Sequence, residues 1–232
     1  MLSRRNIYHI AIAAIVSTSC LLALKPAVAT SSASEYRSLG LSYRAAQRYE
    51  EAIAALKKSV ELDPQNATGR VALGWTQHLA GQEEAAAQSL LQVIYRDPQS
   101  VPALNALGIV YLVSGYLTES VTVHTWAAML EPNNEIPYYN LSLSLHRLHL
   151  YGLAIASAKK AATLEPSNPH PVVAEAINYW SLGDRVSAKL AYRKALNLDP
   201  RYNDRAFLEH LRQAAFSTQQ IDTTKQVLSA LY

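Results

Sequence analysis

The histidines are the residues of this chain whose type and spacing could do chemistry. His146 and His149 are three residues apart, a spacing that brings two imidazoles on one helix within reach of a single metal ion. A structural zinc site needs four ligands, and no acidic residue lies beside the pair in the sequence. Two alternatives follow: a metal site built on both histidines, or a turn residue at His149 with a solvated side chain at His146.

Sequence motifs of catalysis are missing. Six of the eight glycines recur at fixed positions of a repeat, which leaves Gly69 and Gly152 as the only material for a phosphate-binding loop. The sequence holds no nucleophile elbow, zinc-protease helix or paired-carboxylate motif. Cys20 is the single cysteine, so no internal disulfide can form. We predict that the protein is not an enzyme and carries no cofactor.

A strict period of 34 residues organises the chain instead, with no insertion or deletion. One position of the period is always proline: Pro64, Pro98, Pro132, Pro166 and Pro200. A second position is always small: Gly40, Gly74, Gly108, Ser142 and Ala176. A third position is also always small: Ala52, Ala86, Ser120, Ala154 and Ala188. Such a period is typical of stacked helical hairpins.

Each unit contains two stretches with apolar residues at three- and four-residue spacing, which predicts two amphipathic helices. The recurring proline ends the second helix because it lacks an amide donor. A side chain that can cap the following helix stands two residues after each of four prolines: Asn66, Ser100, Asn134 and Asn168. Glycines that suit a left-handed turn separate the two helices in three units: Gly81, Gly115 and Gly183.

Gly40 and its equivalents lie inside predicted helices, where glycine costs about 1 kcal/mol relative to alanine. We infer a steric reason. Counting from residue 33, position 8 of each unit should face position 20 of the partner helix, and both have to be small for the hairpin to close.

With these residues in view, the chain resembles the tetratricopeptide repeat family. The resemblance implies an all-α fold, a right-handed superhelical array of helix-turn-helix repeats with a C-terminal capping helix. Ser142 and Glu175 are mild departures from the family pattern, which favours glycine and leucine at these places. The five repeats are predicted at residues 33–66, 67–100, 101–134, 135–168 and 169–202.

Residues 203–232 leave the repeat pattern. Their apolar side chains form one face that is shifted in phase: Phe207, Leu208, Leu211, Ala214 and Ala215. We predict a capping helix that covers the last hairpin, followed by a short amphipathic helix from about residue 219 to 231, because arrays need a cover on their terminal core face.

Residues 1–29 have the features of a secretory signal. Two arginines precede an apolar run at residues 10–24, and Ala27-Val28-Ala29 supplies a cleavage pattern. The run is shorter than the roughly 20 residues of a membrane span. We predict cleavage before Thr30, a polar linker at residues 30–34 and no transmembrane span in the mature chain. An uncleaved anchor is the alternative.

Export then places the protein in the periplasm, or in the thylakoid lumen if its source is cyanobacterial. The spacing of Asp204, Phe207 and Leu208 resembles the ends of cyanobacterial repeat proteins. Without residues 1–29 the chain has 18 basic and 18 acidic residues. A neutral chain has no net attraction for nucleic acid or anionic lipid, so we predict no nucleic-acid partner.

In this family the inner helices line a concave groove, and position 9 of each repeat lies on its floor. Here position 9 is apolar in all five units, and we call these residues the position-9 stripe: Leu41, Trp75, Ile109, Leu143 and Ile177. The resemblance predicts a non-catalytic scaffold or assembly factor whose groove binds an extended or helical peptide segment with apolar anchors. The alternatives are that the stripe is buried core, or that the protein is a metal-handling adaptor.

Roles within the groove follow from residue type. Aromatic and aliphatic side chains are the predicted anchors: Trp75, Ile109, Tyr139, Leu143 and Trp180. Asn105 and Asn140 would hold the ligand backbone. Three arginines would favour acidic groups on the ligand: Arg37, Arg44 and Arg147.

One known binding mode of the family is not expected. Members that hold the carboxylate tails of heat-shock chaperones use Lys, Asn, Asn, Lys and Arg at five positions of three successive repeats. The corresponding residues of the first three units are Arg37, Leu41, Ala72, Pro102 and Ala106. We therefore predict no binding of such tails.

Overall fold

The computed structural model describes residues 32–232, and the predicted signal and its cleavage site lie outside these residues. The described part is all-helical, which confirms the predicted fold class. Its helices are α1 (Ala33–Ala45), α2 (Tyr49–Leu62), α3 (Ala67–Leu79), α4 (Glu83–Arg96), α5 (Val101–Ser114), α6 (Leu117–Leu130), α7 (Glu135–Arg147), α8 (Tyr151–Leu164), α9 (Pro169–Leu182), α10 (Arg185–Leu198) and α11 (Thr218–Ser229), with 3-10 helices at Pro200–Asn203 and Phe207–Ala214.

Consecutive helices pack as hairpins, and each hairpin packs on the next. The odd-numbered helices from α1 to α9 form the inner layer, and the even-numbered helices from α2 to α10 form the outer layer. α1 begins within the predicted linker, because Ser32 and Glu35 form a capping box around its first turn.

The residues after the prolines cap the inner helices in three cases of four. The side-chain oxygens of Asn66, Asn134 and Asn168 accept hydrogen bonds from backbone amides of the first turn, at 2.8, 3.0 and 3.0 Å. Ser100 makes no such bond; α5 instead has Pro102 in its first turn, where a missing amide costs nothing.

The turns within the hairpins need a left-handed residue in every repeat. Gly81, Gly115 and Gly183 supply it with φ of 75°, 88° and 96°, a region that glycine enters freely. In the first and fourth repeats Gln47 and His149 take the same conformation, with φ of 59° and 60°. A side chain in this region is strained.

The glycines inside the inner helices have a steric role, although the closest partner differs from the prediction. A Cβ on Gly40 would lie 2.6 Å from Leu56 Cγ and 3.1 Å from the carbonyl oxygen of Ala52. Leu56 is at position 24, so the side chain at position 24, more than the small residue at position 20, excludes a larger residue here.

The C-terminal segment, residues 203–232, packs on the last hairpin and on the concave side of α9. Residues 207–214 form a 3-10 helix where an α-helix was expected, and α11 follows it. Apolar side chains of this segment share one buried cluster with α7, α9 and α10: Leu208, Leu211, Phe216, Ile221, Val227 and Leu228.

Candidate peptide-binding groove

The position-9 stripe divides into an accessible half and a buried half. Leu41 is 36% exposed, and Trp75 and Ile109 are partly exposed. Leu143 and Ile177 have no exposed surface at all. The prediction of one open groove along all five repeats is therefore wrong for the last two repeats, where the stripe is core.

The C-terminal segment is what buries the second half. The hydroxyl of Tyr139 donates a hydrogen bond to the carbonyl of Ala214, 75 residues further along the chain. Gln220 Nε2 donates to the carbonyl oxygen of Leu143 at 3.1 Å. These bonds tie the segment to α7 through both side-chain and backbone groups.

Trp180 is also engaged by the protein itself. Its indole Nε1 donates to Gln226 Oε1 at 3.2 Å, and the Arg185 guanidinium lies 3.7 Å from its ring centroid. The structure thus assigns Tyr139, Leu143, Ile177 and Trp180 to internal contacts with residues of the same chain.

The segment is a permanent part of the fold. Six apolar side chains of residues 207–228 are at most 5% exposed, and complete burial of each such side chain contributes roughly 1.5–3 kcal/mol. Gln220 and Thr224 are fully buried as well, and both are hydrogen-bonded. A flap that opened readily would not carry this much buried surface.

The open half of the groove remains as a cavity of about 810 Å³. Its floor comes from α3, α5 and α7, and residues 212–215 of the C-terminal segment form a wall. The apolar and aromatic residues that line it are Tyr49, Trp75, Leu79, Ile109, Val113, Ile136, Tyr139, Ala214 and Ala215. The repeat pattern does not predict this wall; the phase-shifted apolar face of residues 207–215 is the only sequence signal for it.

A second cavity of about 350 Å³ adjoins the first and shares Trp75, Ile109 and Ile136 with it. Asn105 lines this second cavity, is only 7% exposed, and its Oδ1 accepts no hydrogen bond within residues 32–232. Asn140 differs, because its Nδ2 already donates to the carbonyl of Ile136 in the same helix. Asn105 Oδ1 is enclosed by the fold, so the atom of Asn105 that is available to a partner is Nδ2, which makes no hydrogen bond within the described residues.

The three predicted arginines do not act alike. Arg37 and Arg44 are partly exposed on α1, the first inner helix, and line neither of the two cavities. Arg147 is held in the structure, since its guanidinium donates to the carbonyl of Leu112 in the last turn of α5. Burial lowers the pKa of Arg147. Arg147 therefore caps a helix, and the expectation that it selects acidic ligands is corrected.

The two histidines of the metal alternative are separated by their environments. His146 is 5% exposed, and its Nε2 lies 3.0 Å from Ser181 Oγ. Burial, with a smaller effect of nearby His149, lowers the pKa of His146 to about 4. His149 is exposed at the turn, with Nδ1 2.7 Å from Tyr151 Oη. The expectation of a solvated side chain at His146 is therefore wrong.

Within residues 32–232 no group of three or more potential metal ligands occurs. The pair thus has no third ligand in the part of the chain that the structure describes. Over the same residues, no helix has the length and hydropathy needed to cross a bilayer.

His124 is a buried polar residue that no sequence motif indicates. It occupies position 24 of the third repeat, where the first two repeats have Leu56 and Leu90. Its ring packs against Gly108, is fully buried, and leaves both nitrogens without a hydrogen-bond partner in the described residues. Burial lowers the pKa of His124 to about 3, so the ring is neutral at pH 7.

Comparison with known proteins supports the repeat assignment. A model of the TPR repeat matches residues 40–81, and a model of the tetratricopeptide repeat matches residues 176–202. The solved structure of MamA MSR-1 is similar at 26% identity with a TM-score of 0.61, covering 73% of this chain and 97% of that one. A thermophilic TPR protein of Thermus thermophilus shares the fold at 23% identity with a TM-score of 0.62, covering 86% of this chain and 99% of that one.

A curated relative is similar over a shorter stretch. The Hsp70-Hsp90 organizing protein of Triticum aestivum is 34% identical over 87 residues, which are 38% of this chain. The match spans only 15% of the length of that relative. Residues 40–81 and 176–202 therefore match tetratricopeptide repeat models, and the described residues fold as an array of helical hairpins like these solved structures.

Proposed function

We propose that the protein is a non-catalytic interaction scaffold that binds one peptide segment of a partner protein in the open half of its groove. Trp75, Ile109 and Ile136 are the apolar anchors. The observation that carries the proposal is that a peptide segment, the chain's own residues 207–221, already occupies the other half of the same groove. Apolar side chains and hydrogen bonds to backbone carbonyls hold that segment in place.

The repeat register extends this contact into the open half. Tyr139, which donates to the Ala214 carbonyl, is at position 5 of the fourth repeat. Asn105 is at position 5 of the third repeat, 34 residues earlier. The Asn105 Oδ1 is buried, whereas its Nδ2 can donate, so we propose that Asn105 donates to a backbone carbonyl of the incoming segment.

The positive charge on α1 favours one orientation of the bound segment along the groove. Arg37 and Arg44 lie on α1, and neither forms an ion pair within residues 32–232. A segment that carries acidic groups at the end next to α1 and apolar groups toward α7 would match both features.

Two further parts of the proposal concern where the protein acts and what it leaves unbound. We propose that it is exported and cleaved before Thr30, which the mass of the mature N-terminus tests. We also propose that it does not share a chaperone partner with the wheat relative. Leu41, Ala72 and Ala106 offer no donor to a carboxylate, so the likeness in sequence does not extend to that chemistry.

The test is cross-linked affinity capture from the native compartment, with a photoreactive residue at Val113, which is 40% exposed in the groove. Ile109→Glu is the loss variant, because a buried carboxylate opposes an apolar anchor. Thr122→Glu on the outer helix α6, an exposed position, is the matched control.

We expect one protein to cross-link to the wild type and to Thr122→Glu, and to be lost with Ile109→Glu. If all three baits recover the same proteins, the groove is not the binding site. Circular dichroism of each variant shows that the array remains folded.

A further inference from the structure

The charges of the outer helices are divided between the two ends of the array. α2, α4 and α6 carry six acidic and three basic residues. α8 and α10 carry six basic residues and no acidic residue. The neutral total of the predicted mature chain therefore hides a basic outer surface on the fourth and fifth repeats.

The same surface exposes aliphatic side chains. Val186 is 70% exposed, Leu153 is 60% exposed and Leu190 is 59% exposed. On α10, Val186, Leu190 and Arg193 follow each other at four- and three-residue spacing, so they share one face of the helix. The opposite face carries the buried residues Ala188, Ala191, Tyr192 and Ala195.

Most of the charge on this surface has no counter-ion in the fold. Lys160, Arg193 and Lys194 are exposed and form no ion pair within residues 32–232. Of the acidic groups nearby, Glu175 lies 3.9 Å from Lys159, and Asp184 accepts from the backbone amide of Ser187 as the N-cap of α10.

We propose that the outer face of α8 and α10 docks on an anionic lipid bilayer. Lysine and arginine are attracted to the negative surface potential of such a membrane, and aliphatic side chains between them enter the boundary of the acyl chains. A nucleic acid would use the basic groups alone, since exposed valine and leucine contribute nothing to phosphate contacts.

Docking through this face leaves the groove free. The outer helices form the side of the array opposite to the inner helices, so the cavity lined by Trp75, Ile109 and Ile136 faces away from the bilayer. The array would thus hold a groove-bound partner at a membrane surface, but lipid binding does not depend on the proposed peptide ligand.

The test is co-sedimentation of the full chain with sucrose-loaded vesicles. Vesicles of phosphatidylcholine alone are compared with vesicles that contain phosphatidylglycerol, at low and at high salt. The loss variants are Arg193→Glu with Lys194→Glu, and Val186→Ser with Leu190→Ser. The matched control is Lys57→Glu with Lys58→Glu on α2, because these lysines hold the same two repeat positions, 136 residues earlier.

We expect the wild type and the α2 control to bind the anionic vesicles, with affinity lost at high salt because exposed charges are screened. The α10 charge variant should bind about tenfold more weakly or worse, by the loss of attraction of its two basic residues. The Val186→Ser and Leu190→Ser variant should also bind more weakly. All variants contain the same N-terminal residues, so the differences arise from the array.

Three results would overturn the proposal. One is equal sedimentation with both kinds of vesicle. Another is equal loss of binding in the α2 and α10 charge variants. The third is competition by duplex DNA together with unchanged binding of the serine variant, which would identify the surface as a general polyanion site.

Discussion

The two halves of the groove have the same repeat register, but one half is accessible and the other is buried. In the first three repeats Leu41, Trp75 and Ile109 are accessible, and Trp75 and Ile109 line a cavity of about 810 Å³. In the last two, the same position is fully buried under the C-terminal segment. A repeat array can thus bind its own C-terminal segment as a ligand, so the number of repeats overstates the length of groove available to a partner.

One substitution in each half tests this difference in burial most directly. Leu143→Ala should lower the free energy of unfolding by about 2–5 kcal/mol, because it leaves a cavity under the C-terminal segment. Leu41→Ala should change it by roughly 0.5 kcal/mol or less, since that side chain is already 36% exposed. Urea unfolding of both variants measures the contrast, and equal losses would show that the two halves are not different.

His124, on the outer helix α6 of the third repeat, links the stability of the fold to pH. Its folded-state pKa of about 3 is below the ordinary value of 6.5, so the unfolded chain binds a proton that the folded chain rejects. The contribution of neutral His124 to the free energy of unfolding is fully present above pH 6.5 and is lost as the pH falls from 6.5 toward 3. At about pH 5 the loss amounts to about 2 kcal/mol.

His124→Leu restores the residue found in the first two repeats and should remove about 2 kcal/mol of the stability difference between about pH 7 and about pH 5. Urea unfolding at both pH values checks this. His146, with a pKa lowered to about 4, acts in the same direction and should leave a residual slope. An unchanged pH dependence in His124→Leu would mean that the ring is not buried as described.

Tyr139→Phe tests the contact by which α7 holds the C-terminal segment. Loss of the hydroxyl leaves the Ala214 carbonyl without this donor and should cost about 0.5–1.5 kcal/mol. Hydrogen exchange should increase in residues 207–221 more than in α1 or α3. Uniform exchange along the array would contradict a contact that fastens the segment.

His149→Gly should have the smallest effect on the free energy of unfolding, and it should raise that free energy where Leu143→Ala and Tyr139→Phe lower it. Glycine relieves the left-handed strain at a φ of 60°, which favours stability by up to about 1 kcal/mol, less the contact with Tyr151. Gln47→Gly in the first repeat, at a φ of 59°, is the matched control. Thermal unfolding should shift upward in both, and a lower melting temperature in both would refute the strain.

Much of the fold could be predicted from the sequence because its determinants are local. The prolines, the asparagine caps and the turn glycines act within a few residues of their own position. The steric role of Gly40 was predicted correctly in kind, but its closest partner, Leu56, depends on how side chains interlock across the hairpin. A residue type that recurs at a fixed period shows which positions need a small side chain, but it does not show which atoms of the partner helix contact them.

The site was predictable only in part. Trp75, Ile109 and Asn105 were named as groove residues and do line cavities in the structure. Arg147 was named for its charge, yet it caps α5, because a long side chain reaches a carbonyl 35 residues away. The burial of His146 was missed because its neighbours Ser181 and Tyr151 belong to other helices.

The regular array of helical hairpins is encoded locally, because prolines, caps and small residues recur every 34 residues and each acts on its own helix or turn. Which half of the groove is open depends instead on contacts between residues that are far apart along the chain. The contact between Tyr139 and Ala214 spans 75 residues, and no local pattern at either end specifies that the two will meet.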